Sequence, residues 1–395
     1  MKILLISFTD SSNLGDQLIV ECLKKDLSKI GEVSTLSYNL TIQTEHTLLN
    51  HKTKTSSKFR DFYFKYLRQK TLFDKLHGLL NKRYVKKLNW NNLEESLTDI
   101  DFVVLGGGNA IFALTPNTAT TYKVSKIVDY IQNKSIPTIL LSAGIGPFKN
   151  RKQETDAKLL LSKFQGITVR DRSSYEYVSD LENAYISIDP VFFLTNKRDT
   201  SQLNNRVAIC VMDIRANKAT ENEYQLYLKS MQKMIVEILQ KYPNEDIILF
   251  SSEPKDYNAV NDLYTSLNHH KKVKKEEVNK ISDLLSFYES IDFLYGTRMH
   301  SMIVAHTQLI PVAGISWQPK VKEFFNIIGQ QHRVFDLENF DTSISELVNI
   351  YGEVSQNRQG ELESIKRSII DLLDIYGINN TVISRVLEGT NNGQI

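Results

Sequence analysis

"IDFLYGTRMHSMIVAHTQLIPVAGI", residues 291–315, holds two short apolar runs on either side of a helix-length segment. "IDFLY" (291–295) reads as a buried strand, "RMHSMIVAHT" (298–307) as a helix and "LIPVAGI" (309–315) as a second strand. A strand, a crossover helix and a strand at this spacing form the βαβ unit of a parallel sheet. The strands are continuously apolar rather than alternating, which is the pattern of a sheet covered on both faces. Gly296 breaks the first strand and Thr297 is a good N-cap, so Arg298, Met299 and His300 are expected in the first helical turn.

The same grammar extends in both directions. Upstream in this half lie "VAICVM" as a strand, "ENEYQLYLKSMQKMIVEILQKY" as a long helix, "DIILFS" as a strand and "VNKISDLLSFYES" as a helix; downstream is "PKVKEFFNIIG" as a helix. The first half repeats it with "KILLIS" (2–7), "DFVVL" (101–105), "TILLS" (138–142), "GITVR" (166–170) and "AYISI" (184–188) as strands. Helices are expected over 14–30, 121–133, 152–164 and 173–181. Polar residues cluster in "TNKRDTSQLNN" (195–205), which places a boundary there. The expectation is an α/β protein of two Rossmann-like, doubly wound domains, residues 1–198 and 199–395, facing a cleft. An amphipathic stretch at about 359–376 closes the second domain or crosses back to the first, and the tail "EGTNNGQI" is expected to be disordered.

Bulk properties narrow the class. A chain of 395 residues exceeds one comfortable core, in line with two domains. The apolar stretch near the start spans only about six residues, short of the roughly 7–15 of a signal peptide, and reads as the first strand. Cys22 and Cys210 lie far apart in apolar elements, as buried thiols do, and suggest no disulfide framework. A cytoplasmic protein is expected. The net charge of +2 hides an asymmetry: residues 52–87 hold twelve Lys or Arg against two Asp, leaving the rest of the chain acidic. Seven Phe or Tyr are interleaved with those basic residues, within an apparent insertion at about 40–95. That segment is either a platform for an anionic lipid-linked acceptor or the inner membrane face, or a pair of helices whose aromatics pack on the domain. With no nucleic-acid module and no overall basic excess, nucleic acid is not an expected partner. "DID" (99–101) imitates a metal-binding D-x-D but precedes a strand on its amino-terminal side, so no metal site is expected there.

Ligands of doubly wound sheets bind at the carboxyl ends of the strands, and four junctions there carry chemistry. In "SFTDSSNLGDQ", Asn13, Gly15 and Asp16 open a helix whose first N–H groups can hold an anion, or Asn13 caps it and Asp16 complements its dipole. In "LGGGNAI", Gly106–Gly108 and Asn109 allow a backbone to approach a ligand or simply to turn steeply. The spacing matches neither a dinucleotide fingerprint nor a Walker loop. In "VRDRSS", Arg170 ends a strand, Ser173 or Ser174 could cap the next helix, and Asp189 follows one strand later as a turn or cap residue. The fourth is "GTRMHS": Arg298 offers bidentate contact to a carboxylate or phosphate, and His300 a hydrogen bond or a proton. An arginine at a helix start opposes the dipole, so a compensating negative group is expected beside it. Beyond lie Trp317, with a face for a sugar, and Lys320, a further cation.

Taken in order, "NLGDQ", "DFVVLGGGNAI", "GIGP", "VRDRSS", "DPVFFL", "GTRMHSMIVA" and "PVAGISWQPKVKEFF" resemble the polysaccharide pyruvyltransferase family over roughly residues 1–330. The resemblance implies a two-domain fold like that of one class of sugar-nucleotide glycosyltransferases. It also implies transfer of a pyruvyl group from phosphoenolpyruvate to a sugar of a cell-surface polysaccharide or its lipid-linked precursor, as a cyclic ketal with release of phosphate. No cofactor beyond the donor substrate is implied. By similarity, Arg298 clamps phosphate or carboxylate with Arg170 as a second cation, His300 is the general acid, and Asp16 is a base or acceptor ligand. Asn13, Gly15, Gly107, Gly108, Asn109, Gly296, Thr297, Ser301, Trp317 and Lys320 make up the binding surface, and His306 is structural. The competing readings are a nucleotide-sugar-dependent glycosyltransferase of the same architecture and a non-catalytic sugar- or anion-binding protein. The acceptor sugar and the oligomeric state are open at this level.

Overall fold

A computed structural model describes residues 1–42, 82–115, 118–194, 203–217 and 219–391. Most of the basic aromatic segment, residues 52–81, therefore lies outside the described residues. The chain divides into two compact units: Met1–Ser12, Ile19–Pro190 and Ile375–Ile395 form the first, Asn13–Leu18 and Val191–Asp374 the second. The units thus part at Pro190/Val191, where the sequence reading drew a line at 198/199.

The first unit runs β1 (Lys2–Ser7), α1 (Leu14–Leu27, whose opening residues to Leu18 group with the second unit), β2 (Glu32–Ser37), α2 (Trp90–Ser96), β3 (Phe102–Gly106), β4 (Ile111–Ala113), α3 (Thr120–Gln132), β5 (Thr138–Ala143), β6 (Ile145–Phe148), α4 (Arg151–Leu161), β7 (Gly166–Val169), α5 (Arg172–Tyr175) and β8 (Ala184–Ile186). Its parallel sheet has the order β2-β1-β3-β5-β7-β8, with β4 and β6 as a separate parallel pair. β3 and β5 are buried along their whole length and β1 everywhere but its first residue, because helices cover both faces. The edge strand β2, "EVSTLS", is only half buried, which is why its polar alternation hid it in the sequence. Ser173 and Ser174 do not cap the next helix: Asp171 does, accepting from Ser174 N at 2.7 Å, and α5 is a single turn rather than the expected 173–181.

The second unit runs β9 (Arg206–Cys210), α6 (Glu221–Lys241), β10 (Asp246–Phe250), α7 (Tyr257–Ser266), β11 (Val273–Lys275), α8 (Ile281–Glu289), β12 (Phe293–Gly296), α9 (Met299–Thr307), β13 (Val312–Ser316), α10 (Pro319–Ile327), β14 (Val334–Asp336), α11 (Ile344–Gln356) and α12 (Arg358–Tyr376). The sheet order β11-β10-β9-β12-β13-β14 reverses direction between β9 and β12, the topological switch point of a Rossmann sheet. α6 starts at a capping box, Thr220 with Glu223, and buries the stripe Tyr224, Tyr227, Met231, Met234, Ile235 and Ile238 against the sheet.

The last helix, α13 (Ile378–Asn391), belongs to the first unit and makes residues 388–391 helical where disorder was expected. Asn379 fixes it. Its Oδ1 accepts from Thr168 Oγ1 at 2.5 Å and its Nδ2 donates to Ser142 Oγ at 3.0 Å, tying the helix to β5 and β7 through buried hydroxyls. Among the described residues no helix is long and apolar enough to cross a membrane.

Candidate active site

Strand register assembles the site. Gly296 pairs with Cys210 on one side and Gly314 on the other, so the residues that follow β9, β12 and β13 emerge side by side at the carboxyl edge. The α9 cap is not Thr297. Arg298 occupies the N-cap position with extended backbone (φ −97°, ψ 122°) and no side-chain cap, and α9 begins at Met299. Thr297 is buried instead. Its hydroxyl lies 3.2 Å from Tyr227 OH, and its carbonyl accepts from Trp317 Nε1 at 3.0 Å.

The negative group expected beside Arg298 is supplied by the protein. Arg298 Nε donates to Asp256 Oδ2 and Nη2 to Oδ1, both at 2.8 Å. Asp256 is fully buried and also accepts from Ser251 Oγ and the Asp213 backbone N–H, each at 3.1 Å. Burial pulls the Arg298 pKa down, but the hydrogen bonds and charge of Asp256, with the charge of Glu253, outweigh it and raise the pKa. The cation is therefore fixed in charge and in orientation. The side-on edge of its guanidinium is committed to Asp256, which leaves the Nη1 corner for any further anion. Arg298 at a helix start is thus no longer by itself an argument for a bound ligand.

The opening turn of α1 completes the arrangement within the same unit. Asn13 caps it, its Oδ1 accepting from Gly15 N at 2.8 Å, while its Nδ2 donates to Glu253 Oε2 at 2.9 Å. Leu14 N donates to Ser252 O at 3.3 Å. Gly15 lies so close to His300 that an added Cβ would fall 2.4 Å from Nδ1 and 2.5 Å from Cγ. Only glycine permits this approach, so the imidazole rests on the backbone of the α1 turn. Asp16 follows in that turn, half buried. Ser301 Oγ donates to Arg298 O at 2.6 Å and braces the start of α9. Lys320 sits in the first turn of α10.

Asn13, Gly15, Asp16, Gly296, Thr297, Arg298, His300, Ser301, Trp317 and Lys320 thus belong to the second unit. The remaining candidates lie in the first. Gly107 and Gly108 both have left-handed backbone (φ +65° and +63°) and press on Ile19 and Phe8. Asn109 Nδ2 donates to Gly146 O at 3.0 Å. Arg170 is buried just past the end of β7, with Nη1 donating to Asp189 Oδ2 at 2.6 Å, and Asp189 directly precedes the short 3-10 turn Pro190–Phe193. Both cysteines are buried, and burial pushes the Cys22 thiol up to about 12 and the Cys210 thiol up to about 11.

The family model for polysaccharide pyruvyl transferase matches residues 13–319. The chain belongs to this family. The match begins at Asn13, the α1 cap, and ends at Pro319, the first residue of α10, so it spans the site from one junction to the last. Solved structures agree in fold. A protein assigned as a UDP-N-acetylglucosamine 2-epimerase from Listeria monocytogenes shares 11% identity, with 99% of this chain and 96% of that one covered at a TM-score of 0.57. The UDP-GlcNAc 2-epimerase of Neisseria meningitidis bound to UDP-GlcNAc shares 13%, covering 98% and 100% at 0.53. At such identities the likeness shows the two-domain fold alone. No curated protein matches the sequence at a significant level.

Asp256, Glu253 and Tyr227 were not singled out in the sequence. The signal available was positional: "FSSEPKD" follows β10 just as "GTRMHS" follows β12. His306, in contrast, is structural as expected. It is fully buried, with Nε2 at 3.3 Å from Ser368 Oγ, and burial together with the Arg333 charge pushes its pKa down to about 3.

Proposed function

We propose that this protein is a pyruvyltransferase that uses phosphoenolpyruvate as donor and forms a cyclic ketal on a sugar of a cell-surface polysaccharide or its precursor. The observation that carries the reading is the placement of His300 on Gly15, beside the locked Arg298, at the switch point of a chain that belongs to this family. Phosphoenolpyruvate is an anion at both ends. The Nη1 corner of Arg298, the first N–H groups of α9 and Lys320 in the first turn of α10 offer it one cationic and dipolar edge. Arg170, the second cation that the family resemblance implies, lies in the first unit with its Nη1 on Asp189.

In the reaction, protonated His300 gives its proton to the methylene carbon of the donor, which becomes the methyl group. The central carbon turns oxocarbenium-like and is attacked by one sugar hydroxyl, whose proton returns to the imidazole or to Asp16. A second hydroxyl of the same sugar attacks the same carbon, the bond to the phosphate oxygen breaks, and phosphate leaves with the remaining proton. Two carbon–oxygen bonds form, one carbon–oxygen bond breaks, and the methylene gains one proton.

The test is incubation with phosphoenolpyruvate and a panel of lipid-linked and soluble saccharides. The reading expects release of phosphate together with a saccharide whose mass grows by one pyruvyl ketal. Turnover of a nucleotide sugar under the same conditions, with phosphoenolpyruvate inert, would replace it by the glycosyltransferase reading.

A further inference from the structure

A cavity of about 520 Å³ opens in the second unit, and nothing in the donor reading uses it. It lies at the carboxyl edge of the sheet: Met212 follows β9, Trp317 follows β13, and Leu337 follows β14. Its inner wall is shared with the candidate active site. Tyr227 OH reaches both Thr297 Oγ1 at 3.2 Å and Met212 N at 3.3 Å, and Trp317 Nε1 holds the Thr297 carbonyl. The residue next to Thr297 is Arg298.

The lining has two parts. Tyr227, Trp317 and Phe340 make a floor rich in aromatic surface. Glu223, Glu338 and Asp341 stand at the exposed rim, and among the described residues the lining contains no Lys or Arg. Asp341 pairs with Lys233 Nζ at 3.5 Å and Glu223 closes the α6 capping box with Thr220, yet among the described residues three carboxylates against that one ammonium leave the rim net negative, which disfavours phosphoenolpyruvate and nucleotide diphosphates. The carboxylates suit a neutral polyol, whose hydroxyls donate to them while its C–H face packs on aromatic rings.

We propose that this cavity is the acceptor subsite, binding one neutral hexopyranose residue with its reactive hydroxyls directed at the Thr297–Arg298 turn. The inference rests on the pyruvyl-transfer reading for the direction of the hydroxyls, but the binding itself does not require that reading. The division of labour is electrostatic: the anionic donor belongs to the Arg298 corner and the uncharged sugar to the acidic rim.

Trp317 makes the site observable, because Trp90 is the second of only two tryptophans. In a Trp90→Phe background, methyl glycosides of glucose, galactose, N-acetylglucosamine and N-acetylmannosamine are titrated against Trp317 fluorescence. Saturation-transfer NMR on the unmodified protein runs in parallel, so a poorly folding variant does not decide the outcome. At least one glycoside should bind saturably, and the pair Glu338→Gln and Asp341→Asn should weaken it about tenfold, one charge-assisted hydrogen bond's worth. Phosphoenolpyruvate should not compete with it. Silence across the panel in both measurements, unchanged affinity in the double variant, or competition by phosphoenolpyruvate would each overturn the acceptor subsite. Glycoside binding without any binding of phosphoenolpyruvate would leave the subsite standing and remove the donor reading instead.

Discussion

Arg298 and Asp256 form a two-pronged pair in which Nε and Nη2 each sit 2.8 Å from one carboxylate oxygen of a fully buried aspartate. The two residues are 42 positions apart and follow different strands, β12 and β10. The pair fixes the guanidinium before any ligand arrives, so its removal should affect folding and donor binding together. Asp256→Ala leaves a buried cation uncompensated and should cost about 3–5 kcal/mol in urea unfolding. Arg298→Lys keeps the charge but loses the fork, and should weaken donor binding with a smaller loss of stability. A double-mutant cycle that came out additive would show that the pair is not a unit.

Gly15 and His300 give a sharper test, because the predicted effect separates function from fold. Gly15→Ala puts a methyl group 2.4 Å from Nδ1, so the imidazole must move. Activity should fall about 100-fold or more, as for a displaced acid, while stability drops by only about 1–3 kcal/mol. Adding His300→Ala should restore the lost stability and leave activity at the floor. Stability and activity recovered together by that second change would contradict the assignment.

His300→Asn alone should leave the affinity for phosphoenolpyruvate close to that of the parent and lower turnover about 10²–10⁴-fold, the range of general acid catalysis. A large loss of affinity with unchanged turnover would make His300 a binding group.

How much of this was legible follows element by element. β1, β3, β5, β9, β10, β12 and β13 are continuous apolar runs because both their faces are covered, and each stood out. The edge strands β2 and β11 are partly exposed, so their sequences "EVSTLS" and "VKK" carry polar residues and no strong period. The junction "GTRMHS" was readable because glycine, a cation and a histidine meet at a strand end. Its partner Asp256 was not, since "SSEPKD" resembles an ordinary surface turn and no single chain records which turn its register brings alongside. For the same reason the sequence calls for a negative group beside Arg298 without saying where it comes from, and the fold supplies it as Asp256 from the loop after β10.

His306 predicts a pH dependence of stability. Its folded pKa of about 3 lies below the ordinary value of 6.5, through burial first and the Arg333 charge second. The unfolded chain therefore binds the proton more readily. The contribution is fully present above about pH 6.5 and is lost as pH falls toward 3, with a slope near 1.4 kcal/mol per pH unit in between. Urea unfolding across pH 4–7 should show this acid limb flattened in His306→Gln. An unchanged limb would assign it to other groups.

Asn379 predicts how the C-terminal helix is held. Asn379→Leu removes the acceptor of the buried Thr168 hydroxyl and the amide donor to Ser142 Oγ, leaving Thr168 Oγ1 only its bond from Ser142 N and Ser142 Oγ only its longer contact with Ser187. Stability should drop by about 2–4 kcal/mol, with hydrogen exchange rising first in residues 378–391 and in β5 and β7. Exchange that rises in α13 alone would mean that the helix is not coupled to the sheet.

The most direct test of the central claim is calorimetric titration of phosphoenolpyruvate into the parent protein and Arg298→Ala, with UDP-sugars as parallel ligands. Saturable binding of phosphoenolpyruvate that disappears in Arg298→Ala, with no comparable binding of a UDP-sugar, is the predicted result. Saturable binding of a UDP-sugar and none of phosphoenolpyruvate would contradict it.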